Sequence, residues 1–158
     1  MVVNQCVEQG IYVVLILSLN KEHRPLRSMQ LSTILSVSDS YLKKILRKLV
    51  LADIISSSAG KDGGFQLARS IEEISIYDIY SALEGQECEL KLSNIGSRIF
   101  VHGKEFAGGE KKVVSVFGRA NAAFCDELRK LTISELASKE HYQHGTVDFE
   151  ALINESKK

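Results

Sequence analysis

The 158-residue sequence has no tryptophan and one proline, Pro25. Nothing in it reads as a Pro-rich linker, a low-complexity tract or an internal repeat. Its three cysteines, Cys6, Cys88 and Cys125, are an odd number without close spacing. That excludes a disulfide framework and suits a reducing cytoplasm. Long apolar runs are also missing: Ile11–Leu17 has only seven residues, too short to span a bilayer. The N-terminus lacks a basic leader and Glu8 interrupts it, so no signal peptide and no membrane partner are expected. His23, His102, His141 and His144 make no HxxxH spacing, and there is no CxxC; no metal site is expected. His141 and His144, at i and i+3, are read as solvent-exposed. With no nucleophile–base constellation, no paired carboxylates in an apolar setting and no cofactor motif, an enzyme is a remote reading.

Net charge is zero, 20 Lys or Arg against 20 Asp or Glu, but its distribution is uneven. Residues 21–69 carry nine Lys or Arg and four acids, a net of +5; residues 1–20 carry −1 and residues 70–158 carry −4. One part of the chain therefore has the charge expected of a surface that docks on phosphate, with a solvated basic surface as the plainer alternative.

Residues 3–19 are mostly apolar and long enough for a buried helix, although Gly10 and the β-branched residues leave a strand open. Asn20 and Pro25 bracket a loop. Ser28 can cap a short helix through Met29, Leu31, Ile34 and Leu35, ending near Ser36. Ser38 or Asp39 can cap the next. There Leu42, Ile45, Leu46 and Leu49 fall at i, i+3, i+4 and i+7, one buried face. The opposite face carries Ser40, Tyr41, Lys43, Lys44, Arg47 and Lys48. Two short helices with a tight connection form a helix-turn-helix candidate. The N-terminal part of its second helix would enter a major groove, with Ser40, Tyr41 and Lys44 near base edges. Lys43, Arg47 and Lys48 are better placed for phosphates. Taken alone, this helix reads more readily as an amphipathic helix with solvated lysines.

Asp53 ends that helix. Ile54–Ser58 reads as a strand, Ala59–Gly64 as a glycine-rich tip and Phe65–Leu67 as a second strand. A helix-turn-helix followed by a hairpin is a winged helix. Gly60, Gly63 and Gly64 would let the tip turn with positive φ and approach a polyanion closely. Lys61 can enter a minor groove or contact its phosphates; Arg69 could contact phosphate or pair with an acid. A nucleotide phosphate loop fits poorly, because GxxxxGK[ST] must open a helix, and strand-like alternation follows here.

Ser38-x-x-Tyr41-Leu42 into Leu46 and Leu49, Gly60-x-x-Gly63-Gly64-Phe65-x-Leu67-Ala68-Arg69, Ile74-x-Ile76-x-Asp78-Ile79 and Ala82-x-Glu84-Gly85 occur in that order. Over residues 26–85 this pattern resembles the Rrf2 family of bacterial winged helix-turn-helix transcriptional regulators. Ser36 and Ser32 stand where such regulators often carry glycine and alanine. The resemblance implies a DNA-binding homodimer, probed in the major groove by Ser38, Ser40, Tyr41 and Lys44, with the wing around Lys61 in the adjacent minor groove. Many members ligate an iron–sulfur cluster with three cysteines between wing domain and long helix. Here the corresponding stretch, residues 86–112, has Cys88 alone, so no cluster is expected. Cys88 could be a redox-active thiol, but Glu87 and Glu89 would dull it, and an incidental cysteine is the better reading. Cys6 and Cys125 are placed in the core.

Ser75–Asp78 resembles a capping box opening a helix that Gly85 stops. Residues 110–130 read as a long helix with Val113, Val114, Phe117, Ala120, Asn121, Phe124 and Leu128 on its apolar side. It can pair with a second copy or fold back on its own domain. Thr132–Glu135 is a second capping box. The tail is polar and expected to fray, although Val147–Ile153 could form a small helix. The expected fold is thus mainly α with a small β-hairpin wing: a winged helix-turn-helix domain at 1–85, a connecting segment and dimerisation helix at 86–137, and a polar tail at 138–158. The function expected is a homodimeric, cytoplasmic DNA-binding repressor. It would answer a small-molecule effector, a thiol modification or a partner protein such as a metabolic enzyme, as in one branch of the resembling family. The alternative is a winged-helix protein-interaction module that has lost DNA binding.

Overall fold

The computed structural model describes residues 4–85, 99 and 104–155, the side chains of 104–108 excepted. Helix α1, Gln5–Leu19, resolves the first ambiguity in favour of helix. Val7, Val13, Val14, Ile16 and Leu17 are at most 7% exposed. Burial on several sides outweighs the β-preference of valine and isoleucine. Gly10 sits where another helix crosses. A Cβ there would stand 2.6 Å from Leu83 Cδ1 and 2.9 Å from Ile79 Cγ2.

Helices α2, Ser28–Ile34, and α3, Asp39–Leu51, form the helix-turn-helix. Ser28 is the first residue of α2 rather than its cap; the flanking residue is Arg27, whose N–H donates to Gln30 Oε1 at 2.8 Å. The turn after α2 is a Schellman motif. Val37 N–H donates to Ser32 O at 3.0 Å and Ser36 N–H to Thr33 O at 3.2 Å, with Ser36 left-handed at φ 54°. Ser38 Oγ then caps α3, accepting from Tyr41 N–H at 3.4 Å. Leu42, Ile45, Leu46 and Leu49 are at most 3% exposed, each burial contributing about 1.5–3 kcal/mol. A second Schellman motif ends α3. Ile54 N–H reaches Leu49 O at 3.1 Å, and Asp53 is left-handed at φ 52°.

Strands β1, Ile55–Ser58, and β2, Gly64–Leu67, pair antiparallel from Ile55 with Leu67 to Ser58 with Gly64. Leu26 adds a one-residue third strand, exchanging both backbone hydrogen bonds with Phe65 at 3.0 and 2.8 Å. Next comes α4, Ile76–Glu84, opened by the expected capping box: Ser75 N–H donates to Asp78 Oδ2 at 2.8 Å. Gly85 stops it at φ 93°.

Helix α5, Lys104–Arg129, starts earlier than the periodicity at 110–130 suggests. Its C-terminal half packs on α4 through the Phe124 and Tyr80 rings, 5.3 Å apart and edge-on, and through the Arg129 guanidinium over the Tyr77 ring. Thr132 and Glu135 close the second box over a 3₁₀ turn, Ile133–Leu136. Ile133 plugs into the core, which runs unbroken from α1 to this turn.

The tail as far as residue 155 does not fray. Residues 138–155 form α6, Lys139–His144, and α7, Phe149–Glu155, both packed on the winged domain. Lys21 N–H donates to Val147 O at 2.8 Å, and Val147 N–H to Leu19 O at 2.9 Å. Gly145 is so close to the end of α1 that a Cβ would lie 2.1 Å from Asn20 O. Tyr142 donates its hydroxyl to Glu72 at 2.8 Å, and Ile153 is buried. Polarity alone points to fraying. What overturns it is backbone pairing with Leu19–Glu22, which composition does not reveal. The division at 138 therefore separates two parts of one packed unit.

Candidate nucleic-acid interface

The burial of one face of α3 forces its other face outward. Ser40, Tyr41, Lys43, Lys44, Arg47 and Lys48 are all exposed. They are not equivalent. Lys43 pairs with Asp39 at 2.6 Å, and this bond, with a second from Ser28, holds the Asp39 carboxyl below the ordinary range. Lys48 turns inward and donates to Leu83 O near the end of α4, satisfying a terminal carbonyl. Ser38 spends its hydroxyl on the α3 cap. Lys44 and Arg47 make no side-chain hydrogen bond or ion pair to other described residues.

At the wing the glycines have two different jobs. Gly60, at φ 112°, has open space around its missing Cβ and serves the turn. Gly63 and Gly64 are close to the chain itself. A Cβ on Gly63 would lie 2.4 Å from Ser58 O, and one on Gly64 would lie 2.7 Å from Leu26 O. Their smallness serves sheet packing, and neither adopts the positive φ expected of all three. Lys61 is exposed, its carbonyl held by Arg27 Nη2. Arg69 takes the second of its two options. Its guanidinium pairs with Asp78 at 3.4 Å and donates to Glu73 O at 3.3 Å. It ties the wing base to α4, with 34% of its side chain still exposed. Burial would raise the Asp78 carboxyl, but the hydrogen bonds from Ser75 and the Arg69 charge outweigh it and hold its pKa below the ordinary value.

Sequence reasoning left Arg24, Arg27 and Gln30 unassigned. With Lys61 they line a polar cleft of about 410 Å³ between the loop before α2 and the wing tip. Their inclusion in the basic segment was the available signal; their convergence with the wing was not visible.

On α5, Val113, Val114, Phe117 and Ala120 are exposed, at 47, 40 and 53% for the first three, while Phe124 and Leu128 are half-buried. The latter two line an apolar groove of about 550 Å³ that continues over Ile11, Tyr12 and Tyr80.

A sequence model of the Rrf2 family, described as iron-dependent transcriptional regulators, matches residues 3–139. The chain belongs to the Rrf2 family. YffB of Lactococcus lactis, which carries an HTH-type transcriptional-regulator assignment, is 46% identical over 79 residues, 50% of this chain and 51% of that protein. YwgB of Bacillus subtilis, with the same kind of assignment, is 42% identical over 80 residues, 51% of each chain. The matched segment thus spans about half the length of these curated relatives. Among solved structures, oxidised CymR of Staphylococcus aureus superposes with a TM-score of 0.61 at 25% identity, covering 87% of this chain and 97% of that one. The winged helix-turn-helix architecture is that of solved Rrf2 regulators.

Iron in this family raises the question of a cluster, which needs several thiolates converging. The Cys6 thiol donates to Glu84 Oε1 at 3.2 Å, and burial, then that carboxylate, push its pKa up. It is half-buried at the core edge, while Cys125 is buried beside Asn121 as expected. A thiol held in its protonated form by a carboxylate is a poor ligand. Cys88 lies outside the described residues, and among the described ones no group of three or more His, Cys, Asp or Glu could hold a metal. The described thiols do not fit a cluster. Nor is any described helix long and apolar enough to cross a membrane.

Proposed function

We propose that this Rrf2 regulator acts as a homodimer that binds double-stranded DNA sequence-specifically and represses transcription, without an iron–sulfur cluster and without catalytic activity of its own. The observation that carries it is the outward basic face of α3, with Lys44 and Arg47 unpaired among the described residues, together with an exposed Lys61 at the wing tip. Ser40, Tyr41 and Lys44 read base edges from the first turns of α3; Arg47 and Lys61 hold phosphates. Lys43 joins them once its exposed pair with Asp39 opens, since such a pair is worth little. Lys48 and Arg69 position α3 and the wing from behind. Support for the second copy comes from α5, whose exposed Val113, Val114 and Phe117 run on into the apolar groove at Phe124 and Leu128. A small molecule, a thiol change or a partner protein supplies the signal.

Selection of genomic fragments by the purified protein, its own upstream region first, tests the reading. On a selected duplex, log affinity should fall with log salt at about −0.9 per phosphate contacted. Lys44→Ala should lose about 1–3 kcal/mol and relax preference at one base pair. If no duplex binds at low salt, the protein-interaction module is the correct reading instead.

A further inference from the structure

The C-terminal segment 140–155 lies beyond the part of the chain matched by the family model, yet it reaches the wing. Glu150 of α7 accepts from Gln30 Nε2 at 2.7 Å. Gln30 Oε1 in turn accepts the Arg27 N–H at 2.8 Å, and Arg27 Nη2 donates to the Lys61 carbonyl at the wing tip. Three hydrogen bonds therefore run from the tail, through the start of the first helix of the helix-turn-helix, to the wing. Along this path Arg24, Arg27 and Lys61 line one cleft, and Glu150 stands in it. A second tie, Lys21 to Asp148 at 3.3 Å, holds the same segment down.

The three cations are exposed, and Lys61 stands at the wing tip. Arg24 is shared with Glu22 at its other side. The remaining negative charges near the cleft are Glu150, Asp62 and Asp148, whose charge also acts on Arg24. A DNA phosphate entering here would meet Glu150 as a like charge and as a competitor for Gln30. We infer that the Arg24–Arg27–Lys61 cleft is a further contact site for the DNA phosphate backbone, and that Glu150 restrains it by occupying it with a carboxylate. Movement of α7 away from Gln30 takes the carboxylate out of the cleft and frees a neutral donor beside the cations. The tail thus sets affinity through the start of α2 and the wing. This inference rests on the DNA-binding reading above.

The test uses the full chain, a mixed-sequence DNA duplex at low salt, and anisotropy over a salt series. Glu150→Gln keeps a side chain able to bond Gln30 and removes the charge. It should tighten binding about two- to fivefold, with the gain fading as salt rises. Arg27→Ala should loosen binding and reduce the salt slope by about 0.9, one phosphate contact. Glu155→Gln, at the far end of the same helix and outside the cleft, makes the same change in net charge and should leave affinity unchanged. Equal tightening by Glu150→Gln and Glu155→Gln would reduce the effect to overall charge and overturn the inference. So would wild-type binding that neither Glu150→Gln nor Arg27→Ala alters. Absence of binding by the wild type and every variant would instead sink the DNA-binding reading on which it depends.

Discussion

Ser36 and Asp78 show how a single side chain can strain or hold the local fold. Ser36 occupies the left-handed position of a Schellman motif at φ 54°, where glycine is free of the Cβ clash. Ser36→Gly should therefore stabilise the domain by up to about 1 kcal/mol, seen as a higher urea midpoint with unchanged slope. Asp78 works in the opposite sense. Its folded pKa is depressed, so its contribution is present above the unfolded pKa and lost as pH falls through the folded one. The side chain is 33% exposed, so solvent screening keeps the effect below about 1 kcal/mol. Asp78→Asn should be less stable than wild type near neutral pH, and the gap should close on acidification below about pH 4, measured by denaturant midpoints. The roles of these two residues were partly legible beforehand. Ser75 and Asp78 carry capping chemistry within four residues of each other. The Arg69 pairing is not local, and from the sequence it could equally have faced phosphate.

Elements were legible where periodicity and caps coincide. Leu42, Ile45, Leu46 and Leu49 mark α3, Ser38 caps it, and Gly60 to Leu67 reads as a hairpin because turn residues separate two short extended runs. The first helix was ambiguous because its apolar residues surround it, which erases the period that separates helix from strand. Helix α6 was hidden and α7 was legible only as a candidate small helix over residues 147–153, for a different reason. Each is short, and isolated helices of that length are marginal in water. They persist by docking: Val147 pairs with the end of α1, and Tyr142 and Ile153 anchor the flanks. The glycines of the wing divide along the same line. Gly60 belongs to a turn that composition announces, whereas Gly63 and Gly64 answer to Ser58 and Leu26, contacts across the sheet.

At the scale of the whole molecule, the long helix α5 is the element on which the proposed second copy packs. Phe117, 53% exposed, sits midway along its apolar stripe. Under the homodimer proposed above, Phe117→Asp should shift sedimentation from dimer to monomer and weaken binding to a two-fold operator, while the melting of the winged domain stays close to wild type. A wild-type chain that sediments as a monomer at micromolar concentration would overturn that proposal. The sequence alone determined the helix-turn-helix, the wing, the capping boxes and the family, because each is written in residues close together along the chain. Tertiary structure alone decided which basic side chains remain available, since Lys48 and Arg69 find partners 35 and 9 residues away on α4. It also decided that the tail is part of the domain and reaches the wing, because contacts between distant segments depend on packing, which no local pattern encodes.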